Sequence, residues 1–171
     1  MKKLLLLAAL CILGLSQAMS TVHACQKTAY FVSDGDGDGI IEVGEQVVWV
    51  LSIVISNDLS TTMTDVVVKD NLAAELAINM TFGFHKTKGS VSYYTTGRSE
   101  KVHLTWQVGD LAPGERVVLW FKVFTDMNPA GRQEYTSPGE YELNSGPVMK
   151  YNVDGVQDSL ELNAITITVL P

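Results

Sequence analysis

Cysteine and histidine are scarce in this chain, which has two cysteines and three histidines among 171 residues. Cys11 lies in an apolar N-terminal run that we expect to be removed. Cys25 is then the only cysteine of the mature chain, and an internal disulfide is excluded. After residue 24 the imidazoles are those of His85 and His103. So few thiol and imidazole ligands argue against a zinc centre.

Sequence motifs that carry catalysis are also missing. The chain has no nucleophile elbow, zinc-protease motif, phosphate-binding glycine loop or dinucleotide fingerprint. His103 alternates with apolar neighbours, as a residue on the outer face of a strand does. The sequence therefore predicts a protein that is not an enzyme.

Basic residues are outnumbered by acidic ones. The chain has 12 Lys and Arg against 19 Asp and Glu, for a formal net charge of −7. Two of the lysines, Lys2 and Lys3, precede the apolar run, so the mature chain is more acidic still. This balance disfavours nucleic acid and anionic membrane surfaces as partners.

The N-terminus has the pattern of a secretory signal. Lys2 and Lys3 form a basic start, residues 4–15 an apolar run, and Val22-His23-Ala24 a cleavage site with small residues at its −3 and −1 positions. The run is too short to span a bilayer comfortably, and no later stretch is a transmembrane candidate. We expect a signal peptide over residues 1–24, a secreted or cell-surface location, and a single domain over residues 25–171.

Cys25 would be the first residue of the mature chain. The stretch before it resembles the lipobox of bacterial lipoproteins, whose cysteine is acylated. However, His23 stands where a small or apolar residue is usual, and the apolar run ends far from the cysteine. A lipid anchor, a free thiol and an intermolecular disulfide at Cys25 all stay open.

The stretch from Asp34 to Glu45 holds five carboxylates within twelve residues and no Lys or Arg. Its D-x-D-x-D-G spacing, followed by five residues and Glu, is that of a calcium loop. Calcium accepts six to eight oxygen ligands in irregular geometry, whereas magnesium demands an octahedron. The alternative is a solvated Asp-Gly turn. The predicted Ca²⁺ ligands are the side chains of Asp34, Asp36, Asp38, Glu42 and Glu45 and the main-chain carbonyl of Ile40.

Most of the mature chain reads as β-strand. In residues 46–56, Val47, Trp49, Leu51 and Ile53 fall on one face and predict a half-buried strand. Similar short segments recur between turn signals, so we expect an all-β fold: an immunoglobulin-like antiparallel β-sandwich with Greek-key connections and seven to nine strands. Strands rather than helices flank the acidic loop. A calmodulin-like sensor, in which calcium changes the angle between two helices, is therefore excluded. The ion is expected to be structural.

Three segments in order resemble a known family. They are DGDGDGIIEVGEQVVWVLSIVISN, TDVVVKDNL and LTWQVGDLAPGERVVLWFKV. Together they are similar to the immunoglobulin-like repeat domain of prokaryotic surface proteins that is classed as the eleventh domain of unknown function. The resemblance implies an extracellular sandwich used for structure, adhesion or spacing. Some related surface domains form a Lys–Asn isopeptide crosslink, for which Lys69 and Asn163 are the candidate partners here.

Three functions fit these observations. The first is an exported, non-catalytic, calcium-stabilised structural or adhesion module of the cell envelope or extracellular matrix. The second is a self-assembling fibre or surface-layer subunit joined by β-strand addition. The third is a carbohydrate- or protein-binding module, which would need an exposed aromatic cluster from Tyr93, Tyr94 and Tyr151. The expected partners are other surface or matrix proteins, or further copies of the chain.

Overall fold

The computed structural model describes residues 25–96, 101–125 and 135–171. The predicted signal peptide, residues 1–24, lies outside these ranges. The described residues contain no helix that is long and apolar enough to cross a membrane. Their strands are β1 (Cys25–Ser33), β2 (Val48–Ser56), β3 (Met63–Asn71), β4 (Leu76–Ile78), β5 (Phe84–Lys86), β6 (Ser90–Thr96), β7 (Lys101–Leu111), β8 (Arg116–Thr125), β9 (Gly139–Asn144), β10 (Val148–Val153), β11 (Val156–Glu161) and β12 (Ile165–Val169).

The strands form two five-stranded sheets and one two-stranded ladder, and every strand pair is antiparallel. The first sheet has the order β1-β2-β8, and both β4 and β5 pair with β8. The second has the order β11-β10-β3-β7-β6. The ladder joins β9 to β12.

Consecutive strands cross from one sheet to the other. β2 pairs with β8 in the first sheet, and their chain neighbours β3 and β7 pair in the second. Antiparallel sheets linked by such crossings make a sandwich. The all-β class is thus confirmed, and the described residues form 12 strands rather than seven to nine. The excess includes β4 and β5, each of three residues, which are too short to show a period.

The core lies between the two sheets, where the inward faces of their strands meet. In β7 the alternation predicted from the sequence is confirmed, because Val102, Leu104 and Trp106 are buried. Trp49 of β2 is buried in the same cluster. Trp120 of β8 faces outward and is 39% exposed. Period-two patterning therefore sets which residues fill the core.

A turn between β7 and β8 packs against the end of β2. The amide of Glu115 donates to the carbonyl of Ala112 at 3.0 Å, and Gly114 has a φ of +75°. This is the tight turn that the Ala-Pro-Gly-Glu sequence predicts. The buried Asn57 fixes it, because its side-chain amide donates to the carbonyl of Leu111 at 2.8 Å and its own carbonyl accepts from Gly114 at 2.7 Å.

Gly89 is required by a close backbone contact as well as by its backbone angle. It has a φ of +77°, and an added β-carbon would overlap the carbonyl of Gln107. Gly114 has nearly the same angle but open space around it, so Gly114→Ala should cost only the left-handed strain of about 1–2 kcal/mol. We expect Gly89→Ala to cost about 1–3 kcal/mol more than this control in urea denaturation. Equal losses would contradict the overlap.

Candidate metal centre

The acidic loop connects β1 to β2, two neighbouring strands of the first sheet. Its first half is folded by Asp34. One carboxylate oxygen of Asp34 accepts from the amide of Gly37 at 2.5 Å, and the other from the amide of Gly39 at 2.6 Å. Both glycines have a φ of +85°, which side chains disfavour. The sequence therefore coils tightly around the Asp34 carboxylate.

Three of the other carboxylates are held in the same way. An oxygen of Asp36 accepts from the amide of Asp38 at 3.1 Å, and one of Asp38 accepts from the amide of Ile40 at 2.7 Å. In the second half, Glu45 accepts from the amide of Glu42 at 3.1 Å. The backbone of the loop thus orients four of its acids, Asp34, Asp36, Asp38 and Glu45.

The predicted carboxylate ligands fall into two overlapping groups. Oxygens of Asp34, Asp36 and Asp38 lie within 4.8 Å of one another, and so do those of Asp36, Glu42 and Glu45. Asp36 belongs to both groups. Hard carboxylate oxygens from both ends of one loop fit a calcium ion, which tolerates many oxygen ligands. The sixth predicted ligand, the main-chain carbonyl of Ile40, is not a carboxylate and stays a prediction.

No basic side chain neutralises these acids in the described part of the chain. The ion pairs there are Lys27–Asp70 and Lys88–Glu115, and neither involves the loop. Like charges held this close repel one another, and a divalent cation would remove that repulsion. The donor set and its charge therefore fit a bound calcium ion.

Long-range hydrogen bonds anchor the loop to the end of the chain. The amide of Val43 donates to the carbonyl of Leu170 at 3.1 Å, and the amide of Leu170 donates to the carbonyl of Ile41 at 2.8 Å. The hydroxyl of Thr125, at the end of β8, accepts from Val47 at 2.8 Å and donates to the carbonyl of Glu45 at 3.1 Å. Sequence spacing gives no sign of these partners.

Cys25 is half-buried at the start of β1, where it pairs with Ile55 of β2. Burial raises the pKa of its thiol to about 12. The thiol therefore stays protonated at neutral pH and is a poor nucleophile for disulfide formation. This disfavours the intermolecular disulfide among the three fates that the sequence left open.

Lys69 and Asn163 are both exposed, on β3 and just before β12 respectively. Asn163 lines an open cleft together with Cys25 and Lys27, and Lys69 is not among the residues of that cleft. The structure thus gives the predicted Lys69–Asn163 crosslink no buried setting. A lysine with a buried side chain, Lys27, lies on β1.

The three tyrosines of the predicted binding surface do not converge. Tyr151 is buried, whereas Tyr93 packs against Phe84 and Tyr94 stacks on His103. These tyrosines therefore do not form the exposed cluster that a carbohydrate- or protein-binding module would need, since successive residues of a strand point to opposite faces. The sequence analysis missed a different aromatic group, in which His85 stacks on Trp120 at 4.2 Å between ring centroids and Phe82 contacts both.

Comparisons with known proteins bear mainly on the fold. No protein-family model matches the chain, so the resemblance to the surface-protein repeat domain stays a prediction. An uncharacterised protein of Archaeoglobus fulgidus is 28% identical over 116 residues, which cover 67% of this chain and 40% of that protein. The chain thus spans well under half the length of this relative.

Solved structures that resemble the chain belong to diverse proteins. The major pilin SpaD of Corynebacterium diphtheriae matches at 15% identity and a TM-score of 0.47, over 82% of this chain and 35% of that one. The collagen-binding subdomain of the Enterococcus faecalis surface protein ACE matches at 14% and 0.39, over 82% and 94%. A Vibrio harveyi exo-β-N-acetylglucosaminidase matches at 10% and 0.42, over 88% and 18%. At these identities and TM-scores, none of the likenesses bears on function.

Proposed function

We propose that the chain is a calcium-stabilised, non-catalytic structural or adhesion module that acts outside the cell. The observation that carries the proposal is the pair of overlapping carboxylate groups in the loop from Asp34 to Glu45, joined through Asp36. A calcium ion there would hold both halves of the loop together. The backbone bonds to Leu170 would then link the bound loop to the end of the chain.

An extracellular setting supplies the ion that such a loop needs. Extracellular calcium modules bind with dissociation constants of about 10⁻⁴–10⁻³ M, far above cytosolic calcium levels. The predicted signal peptide would export the chain to such a medium. In the described structure the loop is flanked by the strands β1 and β2 rather than by helices. The ion would accordingly stabilise the sandwich rather than signal.

Calcium removal tests this proposal. We expect calcium at ten times its dissociation constant to raise the free energy of unfolding by about 1.4 kcal/mol. That corresponds to a melting-temperature rise of roughly 3–6 °C over the chelated protein in differential scanning calorimetry. Asp36→Ala, which removes the acid shared by both groups, should abolish the difference.

The matched control is Asp58→Ala, at an exposed acid outside the loop. This variant should keep the full response to calcium, and magnesium should give a smaller one. A wild-type melt that is the same in chelator and in calcium would overturn the calcium site.

The second candidate function, assembly by strand addition, is favoured by the edge of the first sheet. Among the described strands, β1 pairs with β2 alone, and its residues Tyr30, Phe31 and Val32 are exposed. An exposed edge of this kind can accept a strand from another chain. Sedimentation with and without calcium separates the two candidates, because a monomer in both conditions contradicts assembly.

A further inference from the structure

A buried polar cluster that includes no residue of the acidic loop joins three parts of the sandwich. Lys27 comes from β1 of the first sheet, Asp70 from β3 of the second, and Asn144 from β9 of the two-stranded ladder. The side chains of Lys27 and Asp70 are 1% and 0% exposed, and Asn144 is also buried. Water is therefore excluded from all three.

The hydrogen bonds arrange this cluster around the Asp70 carboxylate. Oδ2 of Asp70 accepts from the Nζ of Lys27, and Oδ1 accepts from the Nδ2 of Asn144 at 3.2 Å. The carbonyl oxygen of the Asn144 side chain accepts in turn from the amide of Ile165 at 3.2 Å. One carboxylate thus holds an amine beside a carboxamide whose carbonyl is already polarised by a backbone donor.

Such a cluster is costly to keep for stability alone. Two ions taken out of water lose several kcal/mol of hydration each, and well-packed apolar residues often replace a buried pair without loss. Burial lowers the pKa of the Lys27 ammonium, although the charge and the hydrogen bond of Asp70 oppose that shift. Lysine becomes a nucleophile when it is desolvated and loses its proton. The cluster has the groups that acyl transfer requires.

We propose that the side chains of Lys27 and Asn144 are joined by an autocatalytic amide crosslink, with Asp70 as the proton carrier. Asp70 accepts a proton from the Lys27 ammonium, and the neutral Nζ attacks Cγ of Asn144. The backbone N–H of Ile165 stabilises the negative charge that develops on Oδ1. The Cγ–Nδ2 bond then breaks and Nδ2 leaves.

Atoms and charge balance without a further reactant. Of the three protons on the ammonium, one stays on the new amide nitrogen. Asp70 passes the other two to Nδ2, which leaves as an ammonium ion. Asp70 ends as the carboxylate that it was at the start. No oxidant or reductant is needed, and the exclusion of water protects the tetrahedral intermediate from hydrolysis.

Peptide mapping of the purified protein tests the crosslink. Trypsin should yield a branched peptide in which uncleaved Lys27 is linked to the fragment of residues 133–150, lighter by one ammonia than the two parts. Asn163 lies in the separate fragment of residues 151–171, so the map distinguishes the two asparagines. The branched form also separates the crosslink from N-terminal cyclisation of Gln133 in the released fragment, which loses ammonia as well.

Variants then assign the roles. Lys27→Met and Asn144→Ala should abolish the branched peptide, and Asp70→Asn should slow its formation by about 10²–10⁴-fold, as loss of a general acid–base does. The matched controls, Lys69→Arg and Asn163→Ala at exposed positions, should leave it intact. The wild-type map needs no variant to fold.

Unlinked peptides in the wild type, or a branch to any asparagine other than Asn144, would overturn the proposal. The crosslink is covalent and involves no ligand of the proposed calcium site, so it should persist in chelator. Its failure is therefore distinguishable from failure of the calcium site.

Discussion

The Asp70→Ala variant is expected to lower the free energy of unfolding by at least about 3–5 kcal/mol, which is the usual cost of leaving one partner of a buried ion pair alone. Lys27 would remain buried with a charge that water cannot reach. Asn144 would also lose the acceptor of its side-chain amide. Urea denaturation followed by tryptophan fluorescence measures the loss.

A double variant divides this loss into its causes. Lys27→Met combined with Asp70→Leu removes both charges and fills the space with apolar side chains, so an ion-pair effect alone would largely vanish. A double variant as stable as the wild type would contradict a crosslink that contributes to stability. In the chain-entropy model, a crosslink that closes a loop of about 100 residues stabilises a protein by about 4.7 kcal/mol. If the crosslink forms in the wild type, the double variant should be less stable than the wild type by about that amount.

The Trp106→Ala variant is expected to cost about 3–5 kcal/mol, as truncation of a buried aromatic side chain does. Trp106 is fully buried between the sheets, and its indole N–H donates to the carbonyl of Lys88 at 2.9 Å. The truncation therefore leaves both a cavity and an unmet acceptor. Chemical denaturation again gives the free energy.

Trp120→Ala is the matched control for that truncation. Trp120 lies on the outer face of β8, stacked on His85, so its loss should cost clearly less. Similar costs at the two positions would contradict the assignment of inner and outer faces. A smaller cost at Trp106 than at Trp120 would reverse it.

The sequence predicted which face of a strand is buried better than it predicted which strands pair. The alternation of Val102, Leu104 and Trp106 identifies the buried side of β7, because side chains alternate along any strand. It does not say which strand lies alongside. Residues 78–84 and 90–95 read as a hairpin, yet β5 pairs with β8 in the first sheet and β6 with β7 in the second. Strand pairing depends on how distant segments of the chain come together, and a local sequence pattern does not contain that information.

The same division holds for the candidate sites. The acidic loop is contiguous, so the spacing of Asp34, Asp36 and Asp38 reveals their proximity, and the structure brings them within 4.8 Å. Lys27, Asp70 and Asn144 come from three distant segments. Lys69, the residue next to Asp70, lies in a segment that carries the family resemblance, but it is exposed to solvent. A shift of one residue along a strand decides between core and surface.

The bridge between Glu42 and Leu170 has a mechanical consequence. Tension applied to the chain after Leu170 would act on the hydrogen bonds that Leu170 makes with Ile41 and Val43 before it reaches the ladder between β12 and β9. Ile41 and Val43 belong to the acidic loop, so a calcium ion bound there would resist that tension. The resistance of the sandwich to force would then rise and fall with the calcium concentration around it.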